Sequence, residues 1–272
     1  MDNIIFKKPK PKELRREGFL PVDMHVHTKY SDGMNKVQTL LKKAKKRGFG
    51  IAVTDHNNIK GALDAYNAKR IFVVPGIELT TYDGPHVLCY FYNVGELVEF
   101  YEKHIEKNKL KNPNGRIKLG MVEISERLRN YNCVLSLAHP CGYLWVNLAR
   151  AVKKNNGCEN AVKSADAVEV ICGIQSRKAN LNAIELNKTL DKGITAGSDA
   201  HSLLDAGSAV TCAAADNVED FLEAIELKKN FVVGDENKNI KRILFTSQFI
   251  RKQSKYWPGM VRDRLRKNEP VK

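Results

Sequence analysis

No stretch of the chain is apolar over the roughly 18–20 residues that a membrane-spanning helix needs, so no transmembrane segment is expected. The opening MDNIIFKKPKPKELRREGF has no apolar core and no small-residue cleavage site, which argues against a signal peptide. Cysteine is sparse and unpatterned. The six cysteines, at 89, 133, 141, 158, 172 and 212, form no CxxC pair. Several sit inside apolar runs, where a reduced thiol packs as a small hydrophobe. A disulfide framework is therefore not expected, and a reducing, cytoplasmic location is. No internal repeat is apparent, and no recognisable nucleic-acid-binding motif interleaves aromatics with the basic residues.

What the chain does have is length, positive charge and a particular placement of histidine. Its 272 residues can bury a sizeable core without staples. The formal net charge is +14. Residues 241–272 alone hold ten Lys/Arg against two Asp/Glu, a surplus of +8. Such a segment is either a solvated tail or a surface for an anionic polymer or lipid headgroups. The sequence divides into a charged lead-in (1–19), a main domain (20–235) with a helical excursion at 94–132, and a basic helical extension (236–272).

Short apolar runs alternate with amphipathic segments. LPVDMHVH (20–27) precedes KVQTLLKKAKKRG, and GIAVTDH (50–56) precedes IKGALDAYNAKR. IFVVPGIEL (71–79) and HVLCYFY (86–92) follow each other directly. CVLSLAHP (133–140) precedes LWVNLARAVKKN, AVEVICG (167–173) precedes ANLNAIELNKTLDKG, and GITAGSDAH (193–201) closes the series. Val37, Leu40, Leu41 and Ala44 share a helical face opposite a row of lysines, and Gly48 follows as a stop. The alternation predicts an α/β fold with a mostly parallel sheet, in the manner of a β/α barrel. Helices are also expected at 218–228 and 239–252, with a short one near the end of the chain.

Of seven histidines, six map to strand ends. His25 and His27 close the first strand, His56 the second, His139 a later one, and His201 follows Asp199 at the last. The carboxyl ends of parallel barrel strands share one rim. His86 begins its strand, but TTYDGPH reads as a hairpin turn, which would set His86 beside Glu78 at the same rim. Only His104 falls outside. With Asp32, Glu78 and Asp199 these make nine nitrogen and oxygen donors, a set that suits Zn, Mn or Fe. His25 and His27, two apart on a strand, point to one face and can share an ion. Nine ligands imply two or three divalent ions with a bridging carboxylate.

The motifs DMHVHTKYSDG, AVTDHN, VVPGIEL, HVLCYFYN, LAHPCG and AGSDAH, taken in order, resemble those of the PHP (polymerase and histidinol phosphatase) family, in particular its stand-alone metal-dependent phosphoesterases. The likeness covers about residues 20–215. It implies a distorted seven-stranded β/α barrel with a trinuclear site. By the same resemblance His25, His27, Glu78 and Asp199 would hold one ion, Glu78, His86 and His139 a second, and Asp32, His56 and His201 a third. No ligand position is replaced, as it would be in a non-catalytic relative.

Such a site implies hydrolysis of a phosphoester by a metal-bridged hydroxide. Asp199 is the expected proton acceptor and His201 is expected on the leaving side. Asp55 either orients an imidazole or caps a turn. Arg177 is expected at the same rim, where its planar fork would suit a substrate phosphate. Lys29 and Tyr30 are candidates for the pocket wall. The expected partner is a small phosphorylated molecule or short nucleotide. Alternatives are a nuclease acting on DNA or RNA ends, an amidohydrolase, and a metal-stabilised adaptor that binds nucleic acid or a membrane through its basic end.

Overall fold

A computed structural model of the chain describes residues 3–142, 148 and 158–236. The expected helix over 144–155, apart from Leu148, and the basic helices expected beyond 238 lie outside these residues.

Ten strands form one continuous sheet: β1 (Ile4–Phe6), β2 (Leu20–Val26), β3 (Gly50–Val53), β4 (Val73–Thr80), β5 (His86–Phe91), β6 (Cys133–Leu137), β7 (Ala167–Cys172), β8 (Gly193–Gly197), β9 (Ala209–Ala213) and β10 (Phe231–Gly234). Their order is β1-β10-β9-β2-β3-β4-β5-β6-β7-β8. The run β2 to β8 supplies the seven strands expected. Its two ends meet at a bridge between Val26 and Ala200, where His27 N–H donates to the Ala200 carbonyl at 3.1 Å. The sheet is thereby curled into a barrel. β4 pairs antiparallel with β5, and β5 with β6, as the hairpin at TTYDGPH predicts. The other neighbours within β2–β8 are parallel.

Closure demands close approach of β2 and β8. Gly197 supplies it: a Cβ added there would stand 2.3 Å from His25 Cβ and 2.5 Å from His25 N. The strands are buried on both faces, as expected where helices cover a sheet. Side chains alternate accordingly. Val74, Leu88, Tyr90, Val134 and Ala52 fill the inner face, while Ile51, Val53, Ile77 and Leu79 meet helical residues such as Leu40 and Leu41 outside. Glu78 lies on the inner alternation four positions along β4 from Val74, and His86 two positions before Leu88 on β5. The plug thus forms the floor on which the polar rim stands.

The helix Val37–Arg47 forms as its periodicity predicts and ends at Gly48 in the left-handed region (φ 85°), with Gly48 N–H donating to the Ala44 carbonyl. The helix Val218–Glu226 is capped by Asn217. The excursion begins with a helix at Val94–Phe100, tightens through a short irregular turn, and returns through a helix at Met121–Leu128. The loop between them packs against the barrel mouth. Asn57 Nδ2 donates to the carbonyls of Gly115 (2.7 Å) and Pro113 (3.3 Å), and Ile117 N–H to Thr80 O (2.9 Å).

Three strands were not anticipated. β9 and β10 follow the last expected strand; β9 pairs antiparallel with β2, and β10 antiparallel with β9. β1 lies in the lead-in and pairs with β10. They extend the sheet past the barrel seam.

Candidate metal centre

All nine predicted donors converge. Glu78 is central. Its Oε1 lies 2.9 Å from His86 Nδ1 and 3.3 Å from His139 Nε2. Its Oε2 lies 2.9 Å from His56 Nδ1, 3.3 Å from His27 Nε2 and 3.4 Å from His25 Nε2. Asp199 Oδ1 stands 3.1 Å from His27 Nε2 and 3.5 Å from His25 Nε2. Asp32 meets His201 Nε2 at 3.1 Å and His56 Nε2 at 3.6 Å. Every one is buried except His86, which is partly so. Four sets bring their ligand atoms within 4.8 Å of one another: His27, Asp32, His56 and His201; His25, His27 and Asp199; His25, Glu78 and His139; His56, Glu78 and His86. His25, His27 and His56, as well as Glu78, each belong to two sets, so the grouping overlaps more than the sequence likeness implies. His104 stands apart, against Tyr131 and Phe100.

The donors fit a divalent cation. Buried polar atoms are ordinarily paired, yet His27 Nδ1, Asp32 Oδ2, Glu78 Oε2 and His139 Nδ1 are buried without a hydrogen-bond partner. A cation satisfies lone pairs that no donor reaches. Electrostatics agree. Burial opposes the charge on Glu78, but His56, His25 and His86 hold its carboxyl well below the usual range. Burial likewise opposes ionisation of Asp199, which His25 and a hydrogen bond from His27 keep low. His27 is pushed down to about 4 by burial and by the neighbouring His201 and His56, so it is a neutral donor.

The backbone is shaped to hold these ligands. His139 (φ 28°) and Asp199 (φ 50°) both occupy the left-handed region, which non-glycine residues rarely adopt and which concentrates at functional sites. Asn57 (φ 49°), directly after His56, shares it.

Glu169, Asp23 and Cys172 escape simple motif reading, and Asp55 takes a role other than orienting an imidazole. Glu169, in the apolar run AVEVIC, places Oε1 2.9 Å from His25 Nδ1 and accepts from His139 N–H through Oε2 at 2.8 Å. Asp23 accepts from Ser198 N–H (2.8 Å), Ser198 Oγ (2.6 Å) and Gly207 N–H (2.7 Å), tying the loop that carries Asp199 and His201 to β2. The Cys172 thiol, kept protonated by burial, lies 3.7 Å from Asp199 Oδ2. Asp55 does not contact an imidazole. It accepts from Thr28 N–H (2.7 Å), Thr28 Oγ1 (2.6 Å) and Ser31 Oγ (2.5 Å), and so braces the loop leading to Asp32. A lone acid within a buried apolar run is the signal that could have flagged Glu169 and Asp23.

Arg177, expected on a substrate phosphate, donates through Nε to Glu236 at 2.8 Å and lies 4.0 Å over the Phe6 ring. To meet a substrate it would have to leave both. Tyr30 is exposed, its hydroxyl donating to Asp64 at 2.7 Å, and the backbone N–H of Lys29 donates to Asn35 O.

A curled β/α sheet with buried histidines and carboxylates gathered at one rim defines a metal-dependent hydrolase. The chain belongs to the PHP domain family: the family's model matches residues 23–175, and a PHP-associated model matches 177–230. It is 26% identical over 235 residues to the uncharacterised protein MJ0417 of Methanocaldococcus jannaschii, covering 82% of this chain and 86% of that one. Its fold is similar to the lesion-specific endonuclease PfuEndoQ of Pyrococcus furiosus (TM-score 0.62, 18% identity, 79% of this chain and 57% of that one). It is also similar to a two-domain protein from Bacteroides vulgatus containing a predicted PHP-like metal-dependent phosphoesterase (TM-score 0.56, 14% identity, 91% and 73%). At these identities the structural likeness is one of fold. No described helix is long and apolar enough to cross a membrane.

Proposed function

We propose that the chain hydrolyses a small phosphoester, a phosphomonoester or short nucleotide, with two or three divalent cations (Mn, Fe or Zn) held by His25, His27, Asp32, His56, Glu78, His86, His139, Asp199 and His201. The observation that carries this reading is the set of four unpaired, buried donor atoms inside a single cluster of nine. Cations bound there would acidify a water and neutralise phosphoryl oxygens.

The protein's own residues then have distinct tasks. Glu78 turns one carboxylate oxygen to His86 and His139 and the other to His56, so it can bridge two positions. Asp199 is held anionic by its histidine neighbours, the state a proton acceptor requires. His201 has Nδ1 2.9 Å from the Asp199 carbonyl, which leaves Nε2 facing Asp32 and the leaving side. Cys89, Cys133, Cys141, Cys172 and Cys212 are free thiols, which suits a reducing cytoplasm.

The test is metal analysis of freshly purified protein together with hydrolysis of an aryl phosphate. Two to three ions per chain and turnover that disappears in His25→Ala and Asp199→Ala are expected. Folded variants that retain full activity would refute the site. The net charge of +14 favours a second reading, a nuclease. In that case the rate on oligonucleotides should fall steeply between about 50 and 200 mM salt, as phosphate contacts are screened.

A further inference from the structure

The metal rim occupies one end of the barrel. The other end carries a cleft of about 460 Å³. Its walls come from the starts of β2, β3 and β4, marked by Leu20, Phe49 and Phe72, together with the end of the helix Val37–Arg47 and the segment after β9. Leu20 and His27 are seven residues apart along one strand, which at about 3.3 Å per residue sets the two ends roughly 20 Å apart. The cleft is therefore separate from the nine metal donors.

Its chemistry is unusual for an unoccupied surface. Arg15, Lys45 and Arg70 all line it, against one acid, Asp216. Lys45 and Arg70 make no hydrogen bond or ion pair with any described residue. Arg15 is fixed by a hydrogen bond from Nε to the Gly48 carbonyl at 2.6 Å, so the fork's remaining N–H donors are held ready rather than free to wander. Burial lowers the Arg15 pKa, and no carboxylate pairs with it among the described residues. Lys45 and Arg70 are solvent-exposed and free to move, and Phe49 and Phe72 form the apolar part of the lining. A fixed guanidinium and two mobile cations over an apolar floor match a ligand that has clustered negative oxygens and a less polar body.

We propose that this cleft is a second binding site, distinct from the metal centre, which takes a phosphate-bearing ligand on Arg15, Lys45 and Arg70. The phosphate belongs either to a small phosphorylated molecule or to a nucleic-acid backbone. Lys12, whose side chain lies beside Gly48, adds to the positive charge at its edge.

The test uses the full chain loaded with zinc and follows backbone amides by NMR during titration with inorganic phosphate and, separately, with a short single-stranded oligothymidylate. Saturable shifts at Gly48, Phe49, Ile71 and Ala215 are expected with at least one probe. Phosphate alone would assign the small ligand, and oligothymidylate alone the polymer. The Lys45→Glu, Arg70→Glu double variant should weaken this binding about tenfold or more, because two attractions become repulsions. Its melting temperature should stay near that of the wild type, since neither side chain has a partner to lose. The cleft shifts should persist in His25→Ala, so failure of the metal centre would leave this result intact. Absence of shifts with both probes, or shifts unaltered by the double substitution, would overturn the proposal.

Discussion

Glu169 and His25 meet at 2.9 Å on the buried side of the metal rim, carboxylate to Nδ1. The contact favours a proton on Nδ1, which would leave Nε2 to ligate a cation beside Glu78 and Asp199 once one is bound. The same carboxylate accepts the His139 amide, so one side chain orients two ligands. Glu169→Ala should therefore lower metal affinity about 10–100-fold, in line with the loss of other ligand-orienting partners. Glu169→Gln should fall between the two, because its carbonyl can still accept from Nδ1 while its amide opposes the His139 N–H. Competition against a fluorescent chelator would measure this. Wild-type affinity in Glu169→Ala would mean that His25 needs no such partner.

The centre was more legible than the scaffold around it. Histidine is scarce, so six placed at strand ends form a pattern that survives without any knowledge of the packing. The hairpin that rescues His86 was readable from Asp83-Gly84 between two apolar runs. Strands β1, β9 and β10 were not readable: they span only three to five residues, too few for a clear apolar run. Asp55 was noticed for its place beside His56, yet its side chain braces Thr28 and Ser31. Adjacency in sequence predicts no direction across a strand, where successive side chains oppose each other. Arg177 was legible only in part. Its position after β7 was legible, but its attraction to Glu236 depends on β10 bringing the chain back.

Gly197 makes a sharp prediction about closure. Alanine would place a methyl group 2.3 Å from His25 Cβ and 2.5 Å from His25 N, against the backbone of β2 rather than a flexible side-chain end. Either β8 withdraws or His25 rotates. Overpacking of this kind costs about 1–3 kcal/mol or more. Gly197→Ala should lower the thermal midpoint and weaken metal binding together. A loss of stability with unchanged metal affinity would show that the seam yields without moving His25.

Asp23 carries the loop of Asp199 and His201 through three bonds to Ser198 and Gly207. Replacing it with alanine leaves two buried N–H groups unpaired, and each such loss costs about 1–3 kcal/mol. Urea denaturation should report a destabilisation of that order. Asp23→Asn should recover part of it, since the amide oxygen can still accept one of those N–H groups. If Asp23→Ala unfolds at the wild-type urea concentration, the loop is held by other contacts.

Metal binding should be tied to protons with a definite sign. In the metal-free protein burial works against a charged His56, but Glu78 and Asp32 prevail and raise its pKa from 6.5 to about 9. His139 and His201 are raised as well, against burial, by Glu78 and by Asp32 respectively. A cation and a proton compete for the same nitrogen, so binding near neutrality must expel protons. Apparent affinity should rise with pH through about 9, where His56 loses its proton in the metal-free protein, and the His56 contribution should flatten above it. Stability of the stripped protein should move the other way. A raised imidazole pKa contributes stability that is complete below 6.5 and lost as pH climbs through about 9. The gap in melting temperature between the metal-loaded and chelator-treated protein should therefore widen across that window. Melting curves for both forms at several pH values, with calorimetry in buffers of different ionisation enthalpy, measure the gap and the protons released. A gap that narrows with pH, or binding that releases no protons at pH 7, would mean that His56 is not displaced from its carboxylates by the metal.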